Sequence, residues 1–359
     1  MNATFTAISG LGSKEPACFL VEAAGVRLLL DLGYGPQPGS RPDVSAIGRV
    51  DALLLSHSHA DHAGSLELLP QVGNPPVYAT EIVSRNLPAG LRTATLPLQG
   101  TAEVCGIRVT TGRNGHAPGG VWLHLGVGGA LLYTGDYATE SALYAYDPPP
   151  AADTVVLDAS YGVYDVPLAD CAAAFAPIFD SHAALLPVPP TGRGPEIALH
   201  LVRNGRAVPS IDSAMRTSLE ALATHAASSV RSGVAEELAA IARQAPAVAE
   251  PAGVMLAASA DGARGEAARL VCAWEARSTP AIVFSGYVPP GTPAERLTRS
   301  GRASYRRWNV HPGLSENARL VRDTQARTVL PAFGERRHLD AWRTAFAPAR
   351  VVLEGTVRL

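Results

Sequence analysis

The segment Ser56-His57-Ser58-His59-Ala60-Asp61-His62-Ala63-Gly64 constrains this chain more than any other stretch of its 359 residues. It follows directly on the apolar run Leu53-Leu54-Leu55, which reads as a strand, and it precedes a helix expected over Ser65 to Leu69. His57 and His59, two apart in extended backbone, project to the same side, while Asp61 and His62 at the helix start face a neighbouring point. Three imidazoles and a carboxylate within six residues form a site for a divalent metal rather than a row of separately solvated side chains. The fold must therefore place a strand end and a helix start around a metal-sized space.

The same device recurs. Leu28-Leu29-Leu30 runs into Asp31, Leu131-Leu132-Tyr133-Thr134-Gly135 into Asp136, and Val155-Val156-Leu157 into Asp158. Polar side chains just beyond the carboxyl ends of strands converge on one crevice in layered α/β folds, so these runs point to a single active edge. Strands are expected at Phe19 to Val21, Val26 to Leu30, Ala52 to Leu55, Val77 to Ala79, Ile107 to Thr111, Val121 to Leu125, Ala130 to Thr134 and Thr154 to Leu157.

From about Pro167 the texture changes. Ala-rich helical stretches (Leu168 to Phe179, Ser213 to Ser229, Ala235 to Gln244, Glu266 to Ala276) alternate with strand-like runs at Ala184 to Val188, Val208 to Ile211, Val254 to Ala257 and Ala281 to Phe284. Alternation of this kind builds a parallel sheet covered by helices, a second domain. The tail returns to strand, helix, strand over Thr328 to Leu330, Glu335 to Phe346 and Arg350 to Leu353.

Composition excludes several classes. Hydrophobic residues make up 47% and charged residues 17%, with 34 Gly and 29 Pro, as in a globular, loop-rich chain and not a disordered one. The apolar runs fall far short of the ~20 residues of a membrane span. The first dozen residues lack the basic start and apolar stretch of a signal peptide, so a cytoplasmic location is the default expectation. Cys18, Cys105, Cys171 and Cys272 show no CxxC spacing and read as free thiols. A net charge of −2 does not itself suggest a polyanionic substrate. Lys14 is the only lysine among 30 basic residues, a bias that reads as codon composition beside so much Ala, Gly and Pro.

His57, His59, Asp61 and His62 match the HxHxDH motif of the metallo-β-lactamase superfamily position by position, and the chain resembles that superfamily in order along its length. Asn114-Gly115-His116 resembles its third motif and Thr134-Gly135-Asp136 its fourth, the metal-bridging Asp, while Asp31 matches the supporting Asp of the first. By that resemblance His57, His59 and His116 would hold one metal, and Asp61, His62 and Asp136 would approach a second.

The rest resembles the β-CASP nucleases, in particular the RNA-processing branch that holds ribonuclease J and the polyadenylation endonuclease. Leu157-Asp158-Ala159-Ser160-Tyr161-Gly162 resembles their acidic motif, Thr191-Gly192-Arg193-Gly194-Pro195-Glu196 their GR-x-QE helix start, and Ile211-Asp212-Ser213-Ala214-Met215 their DSP-M segment. Phe284-Ser285-Gly286-Tyr287 with Gly291-Thr292 and Arg296-Leu297 resembles SGY…GT…L, and His311 stands at their motif B. One position departs. The family's last motif is His-Gly-Glu, and here it reads Phe333-Gly334-Glu335. A phenyl ring binds no metal, so one tight ion and one weaker ion are expected, Zn²⁺ and/or Mn²⁺. His338 reads as a helix-surface residue that could reach back.

The resemblance implies an α/β chain: a metallo-β-lactamase αββα sandwich from residues 1–165 and 304–359, with a β-CASP parallel-sheet domain inserted at 166–303. It implies a ribonuclease that hydrolyses single-stranded RNA in the cleft between the domains, endo and/or 5′-exo. Asp61 would serve as base or orienter, and His311 as acid with Asp158 fixing its tautomer; read without the resemblance, His311 is a loop residue ahead of Pro312. Substrate contacts would come from Arg193, Ser285, Gly286, Tyr287, Arg296, Arg299 and the Gly291-Thr292 backbone. The run Arg296, Arg299, Arg302, Arg306 and Arg307 reads equally as a solvated helix face. Two alternatives are a DNA exonuclease of the same superfamily and a metal-poor RNA-binding scaffold. No membrane partner is expected, and the chain reads as a monomer or homodimer.

Overall fold

Strands that are apolar on both faces need cover on both sides, and the computed structural model, which describes residues 3–35, 37 and 39–359, supplies it in layers. The chain divides into two units. One takes the residues up to Thr139, residues 146–165 and residues 311–359; the other takes Glu140–Ala145 and Val166–Val310.

The first unit has two seven-stranded sheets. One runs in the order Thr356–Arg358, Ala3–Ser9, Cys18–Ala23, Val26–Leu30, Ala52–Leu54, Val77–Ala79, Thr93–Thr95. The other runs Arg350–Val351, Thr328–Ala332, Thr154–Asp158, Leu131–Tyr133, Val121–Leu125, Ile107–Arg113, Gly100–Val104. Phe5, Phe19, Leu28, Leu30 and Leu54 of the first sheet share a core with Val109, Leu123, Tyr133, Val156 and Leu330 of the second, so the sheets pack face to face. Their alternate neighbours point outward. Leu29 and Leu53 pack under Leu66, Leu69 and Val83, and Leu132 and Val155 under Ala318, Val321 and Trp342. Helical segments thus cover both outer faces, and the four layers are the expected αββα sandwich.

The second unit is a five-stranded, wholly parallel sheet in the order Ser210–Ile211, Gly253–Ala258, Ala183–Val188, Ala281–Phe284, Ala303–Tyr305. It extends further than the sequence suggests. Ala303–Tyr305 pairs in parallel with Ala281–Phe284, which carries this unit through Val310 rather than ending it at 303. The helix expected over Leu168 to Phe179 is two, Leu168–Ala173 and Ala176–Phe179, because Pro177 cannot continue the first and sits at the start of the second. Among the described residues no helix is long and apolar enough to cross a membrane.

Candidate metal centre

Each candidate ligand sits just past a strand or on the turn that follows. Asp31 leaves the strand Val26–Leu30 with φ 55, a left-handed conformation that a short polar side chain tolerates better than most. That turn buries its carboxylate completely. There it accepts hydrogen bonds from Ser56 N (2.7 Å), Ser56 Oγ (2.7 Å) and Tyr133 Oη, and it lies 2.7 Å from His62 Nδ1. An imidazole whose Nδ1–H is donated to a carboxylate presents Nε2 on its other side. His62 Nε2 lies 3.3 Å from Asp136 Oδ1.

Asp61 and His62 lie in the one-turn helix Ala60–Ala63, earlier than the helix expected from Ser65. His57 and His59 hold the extended segment ahead of it. His57 Nδ1 is 3.0 Å from Ser56 Oγ, which already donates to Asp31, so His57 donates there and its Nε2 is turned to the interior. His116 follows Asn114-Gly115, where Asn114 Oδ1 accepts from His116 N (3.0 Å). Only glycine fits at 115: its φ is 72, and a Cβ there would stand 2.0 Å from the Ala138 carbonyl oxygen.

The result is a convergence of ring nitrogens. His57 Nε2 and His116 Nε2 each lie 3.1 Å from His59 Nδ1, and Asp136 Oδ2 lies 3.8 Å from His57 Nε2 and 3.5 Å from His116 Nε2. Tetrahedral bonds of ~2.0–2.1 Å put donor atoms about 3.3–3.4 Å apart, so this donor set fits a divalent ion. Asp61, His62 and Asp136 form a second set whose donor atoms lie within 4.8 Å of one another, with Asp136 common to both. Burial and the neighbouring imidazoles push His57 well below the usual histidine range, and burial with His116 lowers His59 to about 4, so both rings are neutral. His62 behaves oppositely: burial works against its charge, but Asp136 and Asp31 outweigh it and hold the proton.

Beside Asp136, His311 Nδ1 bonds to Asp158 Oδ2 at 2.8 Å. Burial disfavours the charge on both partners, yet each sustains the other: Asp158 and Asp136 raise His311, and His311 with Ser160 lowers Asp158 to about 2. Asp158 is fully buried and fixed by Ser160 N (2.9 Å), and Tyr161 sets its ring 5.1 Å from that of His311.

Phe333, where the sequence departs from the motif it resembles, borders His62 of the second donor set. Its ring lies 5.0 Å from that of His62, edge on, and 6.1 Å from that of Phe19, and its φ is 62. His338 packs beside Gly162 and Trp342 and belongs to neither donor set.

The substrate-contact candidates lie in the second unit. Arg193 opens the helix Arg193–Arg203, with its guanidinium resting on Gly286, where a Cβ would stand 1.9 Å from Nη1. Ser285 is fully buried and Tyr287 is exposed. The Gly291-Thr292 turn differs from the expected phosphate cradle. Gly291 N donates to Glu295 Oε2 (2.8 Å) and Thr292 caps the seven-residue helix Pro293–Arg299, so these groups already serve the helix start. Arg296 pairs with Glu275 (2.6 Å) and Arg299 with Glu295 (3.8 Å). Sequence reading passed over Ser56 and Tyr133 as functional groups. Strand alternation was the available signal, since it turns Tyr133 inward toward Asp31.

Two packed sheets with histidines and aspartates gathered at their strand ends define a metalloprotein of the αββα class. Residues 14–186, just under half of the chain, match the model of the metallo-beta-lactamase superfamily, a likeness that fits a divalent metal at these His and Asp donor sets. The chain is similar to Endoribonuclease YSH1 of Kluyveromyces lactis (25% identity over 205 residues, 44% of this chain and 26% of that protein). It is similar to Transcription termination factor FttA of Methanosarcina mazei (26% over 199 residues, 44% and 31%) and to Ribonuclease TTHA0252 of Thermus thermophilus (30% over 173 residues, 40% and 40%). Two of these relatives are named as ribonucleases and one as a transcription termination factor. The similarity spans a quarter to two fifths of their length. A crystal structure of a protein of unknown function from Enterococcus faecalis V583 shares the fold over the whole of both chains, with a TM-score of 0.63 at 13% identity.

Proposed function

We propose that the protein is a metal-dependent ribonuclease that hydrolyses phosphodiester bonds of single-stranded RNA in the cytoplasm. The observation that carries this reading is the shared Asp136, which joins the His57, His59, His116 set to the Asp61, His62 set with the His311–Asp158 pair alongside. The names of the relatives support RNA as substrate over DNA.

His57, His59, His116 and Asp136 would hold one divalent ion, Zn²⁺ or Mn²⁺, and Asp61, His62 and Asp136 would hold a second, more weakly. Bound ions would lower the pKa of a water and offset the negative charge that builds on the phosphoryl oxygens. Asp61, exposed at the end of its set, accepts a hydrogen bond from the attacking water and orients it. With Nδ1 committed to Asp158, His311 offers Nε2 to protonate the leaving oxygen, and Asp158 and Asp136, which outweigh burial and raise its pKa above the ordinary histidine value, favour the proton-bearing form. Asp158 holds the tautomer. Arg193, Ser285 and Tyr287 contribute substrate contacts from the second unit.

The test is digestion of labelled single-stranded RNA bearing a 5′-monophosphate or 5′-triphosphate, with matched single-stranded DNA, under Zn²⁺ and Mn²⁺. Metal-dependent cleavage of RNA is expected, with product lengths reporting endo or 5′-exo action. Cleavage of DNA alone, or binding without cleavage under either metal, overturns the reading.

A further inference from the structure

The helix that follows His311 is fastened to the strand carrying Asp158 by a second bond besides the one between their side chains. His311, Pro312 and Gly313 lead directly into the helix Leu314–Asp323, whose fourth residue, Asn317, is buried. Asn317 Nδ2 donates to the Asp158 carbonyl oxygen (2.9 Å), and Tyr137 Oη donates to Asn317 Oδ1 (2.8 Å). The amide can face only this way. A main-chain carbonyl accepts and never donates, so the nitrogen must lie on its side, which leaves the amide oxygen for the phenol. Tyr137 N in turn donates to Asp158 Oδ2 (3.4 Å), the oxygen that bonds to His311 Nδ1. Tyr137, Asn317 and Asp158 thus close a ring of hydrogen bonds away from water.

The helix does not need an amide there in order to dock, because Leu314, Ala318 and Val321 already pack it into the core that holds Trp342. A buried amide costs free energy unless both its ends are bonded, and here both are. Leu314 N and Ser315 N reach Tyr164 O (3.1 Å) and Asp165 Oδ1 (2.7 Å), beyond the strand, whereas Asn317 ends on Asp158 itself. His311 and Asp158 are thereby tied twice, once side chain to side chain and once through the helix that His311 precedes. A proton donor gains from that double tie. It must meet one oxygen within hydrogen-bond reach, and a misplacement of about 1 Å can cost about 10²-fold in rate.

We propose that Asn317 is a positioning residue for the reaction: its bond to the Asp158 carbonyl sets the geometry of the His311–Asp158 pair, so that His311 Nε2 meets the leaving oxygen. The assignment rests on the nuclease reading above.

The Zn²⁺-loaded enzyme is compared with three variants. Asn317→Leu keeps the branched shape and removes donor and acceptor, while Tyr137→Phe removes the phenol alone and carries the comparison if Asn317→Leu does not fold. Thr324→Val controls for lost stability, since Thr324 Oγ1 makes its buried bond to Leu320 O (2.7 Å) at the far end of the same helix. On a short labelled RNA, Asn317→Leu is expected to lower kcat about tenfold and Tyr137→Phe about threefold, with KM within about twofold and Thr324→Val leaving kcat unchanged. In a His311→Ala background neither exchange should lower kcat further, because the group they position is gone. A second readout needs no turnover. In ¹⁵N-histidine-labelled protein the proton on His311 Nδ1, assigned by its absence from His311→Ala, should exchange with water faster in Asn317→Leu and Tyr137→Phe than in the parent or Thr324→Val. Equal losses of kcat in both backgrounds, or a kcat and proton exchange like the parent's, overturn the assignment and leave the nuclease reading standing. An unchanged proton in an enzyme that cleaves no RNA overturns both, and a proton that responds in such an enzyme overturns the nuclease reading alone.

Discussion

The two donor sets share Asp136 and the same sheet edge, yet they are built differently. In the first, His57 Nε2 and His116 Nε2 each lie 3.1 Å from His59 Nδ1, and burial keeps the rings of His57 and His59 neutral. In the second, His62 is tied between Asp31 and Asp136, which favour its proton, and an aromatic ring stands where a further donor would be. A cation entering the first set displaces nothing, whereas one entering the second must displace a proton from His62 and finds fewer ligands. Unequal affinity at one edge follows from that difference.

Removing the converging set should have the largest effect. His57→Ala leaves two imidazoles and a carboxylate, too few for a tight site, so metal content measured by atomic emission should fall by about one ion per chain. Turnover should drop on the order of 10³-fold, equal to about 4 kcal/mol of transition-state stabilisation. If the ion that stays bound in the parent is retained by His57→Ala, the second set is the tight one and the comparison is inverted.

His311→Ala separates proton delivery from metal binding. A positioned acid typically contributes 10²–10⁴-fold, so turnover should fall by about 10²-fold with metal content intact. The pH profile carries the sign. Because Asp158 and Asp136 raise the histidine above its ordinary value despite burial, the protonated form persists past pH 6.5 and activity declines as pH rises through the raised value. His311→Ala should lack that alkaline limb, and loss of metal instead would move His311 into a donor set.

Asp31→Asn tests what stands behind the weaker set. The carboxylate gathers Ser56, Tyr133 and His62 with no exposure to water. An amide cannot accept from all of them, so His62 loses its fixed tautomer. Loss of such an outer partner typically costs 10–100-fold in metal affinity, and titration of the second ion should weaken by about that factor while the first is unaffected.

These tests also mark what the sequence makes legible. HxHxDH and Asp136 declare themselves because each follows an apolar run that reads as a strand, whereas His116 is legible only through the resemblance of Asn114-Gly115-His116 to a family motif, and the parallel sheet of the second unit is written in its strand and helix alternation. Tyr133 escapes notice because it looks like one more apolar strand residue, and only the packing of two sheets shows that its hydroxyl reaches Asp31. Ala303–Tyr305 is too short to carry a period of its own, so its place in the second sheet depends on a partner strand. Arg296 shows the converse: composition suggests a phosphate-binding patch, and its pairing with Glu275, 21 residues away, becomes visible only in three dimensions.

The smallest change sharpens the comparison most. Phe333→His places an imidazole 5.0 Å, by ring centroids, from His62, at the side of the second set that lacks a nitrogen. The backbone at 333 is left-handed with φ 62, a conformation that histidine enters more readily than phenylalanine, so the exchange needs no change of main chain. It costs some packing against Phe19, on the order of 1–2 kcal/mol of stability. Calorimetric titration should show the second ion binding about tenfold more tightly, and retained stoichiometry after desalting should rise toward two. A variant that folds with unchanged second-site affinity would locate the weakness in the proton held on His62 by Asp31 and Asp136, and Phe333 would then be a packing residue of the inner core.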